Sequence, residues 1–338
     1  MKKLLFAFIA LVLITGMNNL NAQTKAPEYR IAKSIHLPGE GGWDYLSVDE
    51  VNGHLFVSHG TQVNVVDLKK GEPIAMIPDT KGVHGIAIAN DLNRAYISNG
   101  RDTSVTVVDL KTFAFITKVH VSGMNPDAIL YDPFSQQVFT FNGRSSNSTV
   151  IDAKSNKVIG TIALSGKPEF PQSDGKGKIY VNIEDKSKVA LINAKTLKVD
   201  AEWSIAPGEE PSGLALDKVN NRLFSVCGNK LMVVSDPLTS KVITTVPIGD
   251  GCDGVAFDPA TKRIFSSNGE GTITIIQQES ADKYTVIDTF KSQKSARTIT
   301  LDKTTHHLYL SAGEYEPGEG RRPVKAGTFV VLDVEPVK

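Results

Sequence analysis

The chain has 338 residues, 41% of them hydrophobic, with 37 basic residues set against 37 acidic ones and two cysteines. That balance argues against a protein built to grip nucleic acid, which normally carries a basic excess or stripe. Length alone would allow two ordinary domains, a prior that the internal repeat overrides.

Lys2 and Lys3 open the chain, residues 4–14 are apolar without a break, and Leu20, Asn21 and Ala22 precede Gln23. A charged start, an apolar stretch and a small-residue cleavage site make residues 1–22 a secretory signal peptide. The apolar stretch is too short to cross a bilayer, which takes about 20 residues. No cysteine lies near the cleavage site to carry a lipid. The expectation is a soluble exported protein, periplasmic or secreted, with one domain over residues 23–338 and no membrane span after cleavage.

A strand of the type Leu-Tyr-Val-Ser-Asn then recurs, its aromatic at Phe56, Tyr96, Phe139, Tyr180, Phe224, Phe265 and Tyr309, spaced by 40, 43, 41, 44, 41 and 44 residues. A period of about 40–45 residues with several short strands per unit marks a β-propeller blade. The fold class expected is all-β, a seven-bladed propeller of four-stranded blades. In blade two, residues 85–89, 94–99, 105–110 and 115–121 read as its four strands, rich in β-branched residues and bounded by Gly, Asn and Asp. The third strand ends on Asp67, Asp109, Asp152, Asn193 and Asp333 in five of the seven copies, side chains that close tight turns onto the backbone. The last repeat finishes with a third strand and no fourth, whereas residues 29–37 look like an outer strand without a blade. Pairing the two closes the ring and removes the exposed sheet edges.

In such a blade the loop entering the innermost strand and the loop joining strands two and three open on one face, around the channel mouth. Loops on a rigid scaffold are where binding residues tend to sit. Aligned just before the inner strands are Asp44, His84, Asp127, Pro168, Ser212, Asp253 and Arg297, with Glu169 following Pro168. Just after the second strands come His59, Asn99, Asn142 with Arg144, Glu184 with Asp185, Cys227, Asn268 with Glu270, and Glu314. The opposite face offers mainly turn residues. From this asymmetry Asp44, Asn99, Asp127, Asn142, Arg144, Glu184, Asp253, Asn268, Glu270 and Arg297 are the candidate ligand-binding residues of a central funnel.

His59 and His84 lie 25 residues apart at the joint of blades one and two. With Glu169 or Asp127 they form a candidate site for a divalent metal, which needs imidazoles and carboxylates converging. Cys227 and Cys252 share that spacing at the joint of blades five and six, and in an oxidising compartment they are candidates for a disulfide worth about 3 kcal/mol. Residues 314–327 insert between strands two and three of the last repeat, as a flap over the mouth or a plain surface loop. No nucleophile elbow, dinucleotide fingerprint, His-Glu-x-x-His or Cys-x-x-Cys motif occurs.

The strand ends LFVSH (55–59), AYISN (95–99) and IFSSN (264–268) resemble those of the YVTN-repeat propellers. More narrowly, GKPEF (166–170), IYVNIEDK (179–186), EEPSGLALD (209–217) and SSNGEGT (266–272) resemble the YncE-like branch of exported bacterial propellers. The resemblance runs across all seven repeats and implies the fold. It implies little about function, since that branch is related to lactonases, lyases, haem- or quinone-dependent propellers and members proposed to bind DNA or cell-surface partners. No histidine pattern of a haem or quinone enzyme can be matched here, so no catalytic residue is carried over.

The leading expectation is therefore an exported propeller holding a small polar ligand in its funnel, with a divalent metal as candidate cofactor. Hydrolysis or elimination on a lactone or sugar-acid-like substrate is the reaction to test, with Arg297 facing a substrate carboxylate. The alternative is a non-catalytic scaffold that binds another envelope protein, and whether the chain is an enzyme stays open.

Overall fold

The computed structural model describes residues 28–318, 320 and 322–337. The expected signal peptide lies outside these residues. Among them the chain forms seven antiparallel sheets of four strands each. Blade one is Trp43–Asp49, His54–His59, Gln62–Asp67 and Glu72–Ile77, and blade two is Val83–Ala89, Arg94–Asn99, Ser104–Asp109 and Phe115–His120. The inner strands of blades three to six are Pro126–Asp132, Pro168–Ser173, Pro211–Asp217 and Cys252–Asp258, and blade seven begins with Ile299–Leu301.

The ring closes as the repeat count requires. Tyr29–His36 pairs antiparallel with Val330–Pro336, placing Tyr29 opposite Pro336 and His36 opposite Val330. The N-terminal strand thus becomes the outer strand of the C-terminal blade. Tyr29 is fully buried and meets Phe265 of blade six edge-on, ring centroids 5.3 Å apart, so the closing strand also grips a neighbouring blade.

Burial follows strand position within the blade. In Arg94–Asn99 the residues Ala95, Tyr96 and Ile97 are all buried, because other blades cover both faces of the middle strands. Such strands read as continuous apolar runs instead of alternating ones. Inner strands have a different signature. In blades one, two, five and six their second and sixth residues are only half-buried because both face the channel: Asp44 and Val48, His84 and Ile88, Ser212 and Leu216, Asp253 and Phe257. The second place is polar and lines the funnel, and in these blades the sixth is apolar and lines the lower channel. Gly85 sits where inner strands crowd, and a Cβ there would come within 3.2 Å of the Asp127 carbonyl oxygen.

The serine of the recurring strand has a structural task. Ser98 Oγ accepts from the Gly85 N–H (2.8 Å) in its own blade and donates to the Asp127 carbonyl of the next (2.5 Å). Ser267 does the same for Arg297 (2.5 Å), and Asn182 Nδ2 reaches the Ser212 carbonyl (2.9 Å). Each hook fixes the backbone of a channel-mouth residue on the adjacent blade. The turn-closing acids behave as expected at Asp67, Asp109, Asp152 and Asn193, whose side chains accept backbone N–H groups two or three residues on. Asp333 differs: no turn follows the last strand, and its carboxylate instead pairs with His307 Nδ1 at 2.7 Å.

Candidate functional site

Strand register defines the site more sharply than sequence spacing does. The first residue of each inner strand faces the end of the second strand: Trp43 faces His59, Val83 faces Asn99, Pro126 faces Asn142, Pro168 faces Ile183, Pro211 faces Cys227 and Cys252 faces Asn268. The residue that follows is therefore equivalent in every blade. Those residues are Asp44, His84, Asp127, Glu169, Ser212 and Asp253, with Arg297 completing the ring in blade seven. The alignment at Pro168 is thus corrected by one residue, and Glu169 occupies the blade-four place. The dipeptides Pro126-Asp127 and Pro211-Ser212 carried that signal in the sequence.

Asp44 is the hub of one side of the ring. Its Oδ2 lies 2.7 Å from His84 Nδ1, and its Oδ1 lies 3.7 Å from Arg297 Nη2. His84 Nδ1 is also 3.5 Å from Asp127 Oδ1. Arg297 Nε donates to Asp253 Oδ2 (2.7 Å), Nη2 donates to the Trp43 carbonyl (3.2 Å), and Ser212 Oγ donates to Asp253 Oδ1 (2.6 Å). On the other side Lys167 Nζ bridges Glu169 (2.7 Å) and Glu184.

Two of the four carboxylates in the ring, Asp127 and Glu169, hold their protons more tightly than usual, first through burial and then through neighbouring charge. Burial pushes Asp127 well above the ordinary carboxylate range; His84 opposes this and Asp44 adds to it. Burial and the Asp127 charge raise Glu169 in the same way, against the pull of Lys167. Burial alone would lower His84, but its bond to Asp44 and the charges of Asp127 and Asp44 outweigh that and lift it to about 9. The geometry thus favours a charged imidazole at His84, held by Asp44 and Asp127, while burial disfavours the charged forms of Asp127 and Glu169.

Of the predicted ligand-binding residues, Asp44, Asp127, Glu184, Asp253 and Arg297 take part in this network. Asn99, Asn142 and Asn268 do not: each is buried, its Nδ2 donating to hydroxyls of its own hairpin. They staple the loop instead of facing a ligand. Glu270 accepts from Thr272 (2.8 Å) beside them, and Arg144 is exposed at its hairpin.

The metal prediction is revised in composition. Asp44, His84 and Asp127 each offer a ligand atom, all within 4.8 Å of one another. Neither His59 nor Glu169 belongs to that group. His59 is buried against Phe329, centroids 4.1 Å apart, with Nδ1 3.3 Å from the Pro38 carbonyl, and burial lowers its pKa. The expected disulfide is not formed. Cys227 and Cys252 are neighbouring free thiols, Cys252 Sγ donating to the Cys227 carbonyl at 3.1 Å.

Sequence reasoning missed Tyr45 and Lys167. Tyr45 follows Asp44 where blade two has Gly85, and its ring meets Phe170 from across the channel at 5.3 Å. Burial, then the charges of Asp127, Glu169, Asp44 and Asp253, push its phenol well above the ordinary tyrosine value. Tyr45 and Phe170 directly follow the ring residues Asp44 and Glu169 and so pair two blades next to the carboxyl ring. Large aromatics in two blades where others have small residues at this position were the visible signal. Residues 314–327 do not simply hang free: Tyr315 bridges to Val324 and stacks on Trp43, centroids 5.7 Å apart.

No protein-family model and no curated protein matches the chain. Among solved structures it is similar to a chain of Kuenenia stuttgartiensis hydrazine synthase, at 15% identity and a TM-score of 0.74, over 88% of this chain and 96% of that one. At that identity the likeness establishes the seven-bladed propeller fold alone.

Proposed function

We propose that this propeller binds a small polar ligand in its funnel through a divalent cation held by Asp44, His84 and Asp127. The observation that carries the reading is the convergence of three donor atoms within 4.8 Å. Ligands around a tetrahedral ion with bonds near 2.1 Å stand roughly 3.4 Å apart, and His84 Nδ1 is already 2.7 Å and 3.5 Å from the two carboxylate oxygens. One imidazole and two carboxylates suit Zn²⁺ or Mn²⁺. A cation there would polarise a carbonyl, and Glu169, whose charged form burial disfavours, would be the proton donor of the same ring. Hydrolysis or elimination on a lactone or sugar-acid-like substrate is the reaction class to screen.

The test is the metal content of the mature protein, purified without chelator and reconstituted with Zn²⁺ or Mn²⁺. Near-stoichiometric metal that is lost in His84→Ala/Asp127→Ala and kept in His59→Ala supports the site. A wild-type protein that stays metal-free after reconstitution overturns it. Export is part of this reading, motivated by the N-terminal segment and checked by the N-terminal residue of the secreted product. Kinship with the YncE-like branch is likewise proposed, on the strand motifs quoted above.

A second reading, the non-catalytic scaffold, has its own observation. Exposed large apolar side chains sit on the outer strands of blades seven, one, two and three (Ile31, Ile74, Met76, Phe115, Ile116, Val158 and Ile159), while those of blades four to six carry none. An envelope protein docking on that rim would be crosslinked from residues beside Phe115 and not from the outer strand of blade five.

A further inference from the structure

A cavity of about 800 Å³ opens beside the funnel, between the glycine-rich loop before blade one and the flap residues Tyr315, Glu316, Gly320 and 322–327. Its size is that of a small-molecule site, about 300–1,000 Å³. Two features join it to the funnel. Arg297 belongs to the wall of the cavity and to the ring at once. Trp43, whose carbonyl holds the Arg297 guanidinium, contributes its ring to the same wall.

The wall is a ladder of planar groups. His59 lies on Phe329 (4.1 Å), Phe329 on Trp43 (5.4 Å) and Trp43 on Tyr315 (5.7 Å), with the Arg322 guanidinium 5.7 Å over the Tyr315 ring. Because these faces are spent on one another, the cavity is left with the ring edges, the backbone of Gly41, Gly42 and Gly327, and the charged side chains of Arg297, Arg322, Lys325, Glu40 and Glu316. Trp43 is 5% exposed, and its indole N–H has no hydrogen-bond partner among the described residues. A buried donor left unpaired costs about 1–3 kcal/mol, and this one lies behind the cavity wall, inside the Trp43 packing.

We propose that this cavity is an organic-anion pocket that takes a ring-bearing monocarboxylate, its carboxylate on Arg297 and its ring against the edges of Trp43 and Tyr315. A carboxylate suits the guanidinium fork, which pairs with it in two parallel bonds. Asp44 now competes for Nη2 from 3.7 Å. Drawing Asp44 towards a cation on His84 and Asp127 would release that edge of Arg297, so cation and carboxylate bind with positive coupling. The coupling rests on the metal reading above, whereas the pocket itself does not.

The chain has two tryptophans, Trp43 and Trp203, so Trp203→Phe leaves Trp43 as the sole indole reporter. Benzoate, 4-hydroxybenzoate and galacturonate are titrated into the mature Trp203→Phe protein, with benzamide and galactose as neutral controls, in chelator and again with Zn²⁺ or Mn²⁺. The expected result is saturable quenching by at least one carboxylate and by neither neutral control. Affinity should fall about tenfold or more in Arg297→Met, and also in Tyr315→Ala, whose substitution lies on the flap and leaves the ring network intact. No saturable response to any carboxylate, or equal responses to the neutral controls, overturns the pocket. So does an unchanged affinity in both variants. Binding that depends on Arg297 but is indifferent to added metal keeps the pocket and removes the coupling, which separates its fate from that of the metal site.

Discussion

His84 Nδ1 lies 2.7 Å from Asp44 Oδ2, although the two residues are 40 positions apart and belong to different blades. Equivalent places on adjacent inner strands meet at the channel mouth, so a one-blade offset in sequence becomes a direct contact in space. That contact is the strongest of the interactions that raise the His84 proton affinity against burial.

Asp44→Asn should therefore lower the His84 pKa from about 9 towards its ordinary 6.5, since burial then acts against the charges of Asp127 and Glu169 alone. An NMR titration of the His84 ring protons in chelated protein reads this directly. A value that stays near 9 would mean that Asp44 is not the controlling partner.

Stability should fall as pH rises through the same interval. His84 binds its proton more tightly folded than unfolded, so its contribution is whole below about 6.5 and lost as pH passes through about 9. Asp127 and Glu169, also raised, act in the same direction, because ionising them costs more in the folded ring than in the unfolded chain. Thermal melts of the chelated protein should lose at most on the order of 3 kcal/mol to His84 over that window, and Asp44→Asn should flatten the slope.

Cation binding at pH 7 should release protons, because the ligating imidazole must first give one up. Calorimetry in buffers of different ionisation enthalpy should return about one proton per ion from His84. Apparent affinity should rise between pH 7 and 9. Proton-neutral binding would point to a different set of ligands.

Asn268→Ala should cost stability and leave ligand or metal binding unchanged. Asn268 donates to Thr272 and Thr274 inside its hairpin and accepts from the buried Ser266 hydroxyl, and truncation removes all three bonds, a loss of about 1–3 kcal/mol. Denaturant unfolding measures it, and the same holds for Asn99→Ala.

The two cysteines should be inert in the folded protein. Both thiols are buried, and burial first, then neighbouring charge, pushes each up to about 12; thiolate, the reactive form, is then scarce. A thiol-disulfide reagent at pH 8 should label neither in native protein and both after denaturation. Two masked thiols after denaturation without reductant would instead show that the crosslink forms.

Much of this architecture is written in the sequence. The spacing of Phe56, Tyr96, Phe139, Tyr180, Phe224, Phe265 and Tyr309 fixes seven blades, because a repeat of that length must pack against its neighbours to bury its faces. The orphan outer strand near Tyr29 fixes the closure, because an unpaired edge has nowhere else to go. The set of residues at the channel mouth is also legible, as polar side chains opening apolar inner strands. Their partnerships are not. Asp44 touches His84 and Arg297 from opposite ends of the chain because the ring closes, and only that closure decides which of four carboxylates lie beside a cation. Register decides the rest. A shift of one residue puts Glu169 into the ring in place of Pro168, and the hydroxyls of Ser104 and Thr106 turn Asn99 inward, since a buried amide goes where its hydrogen bonds are satisfied.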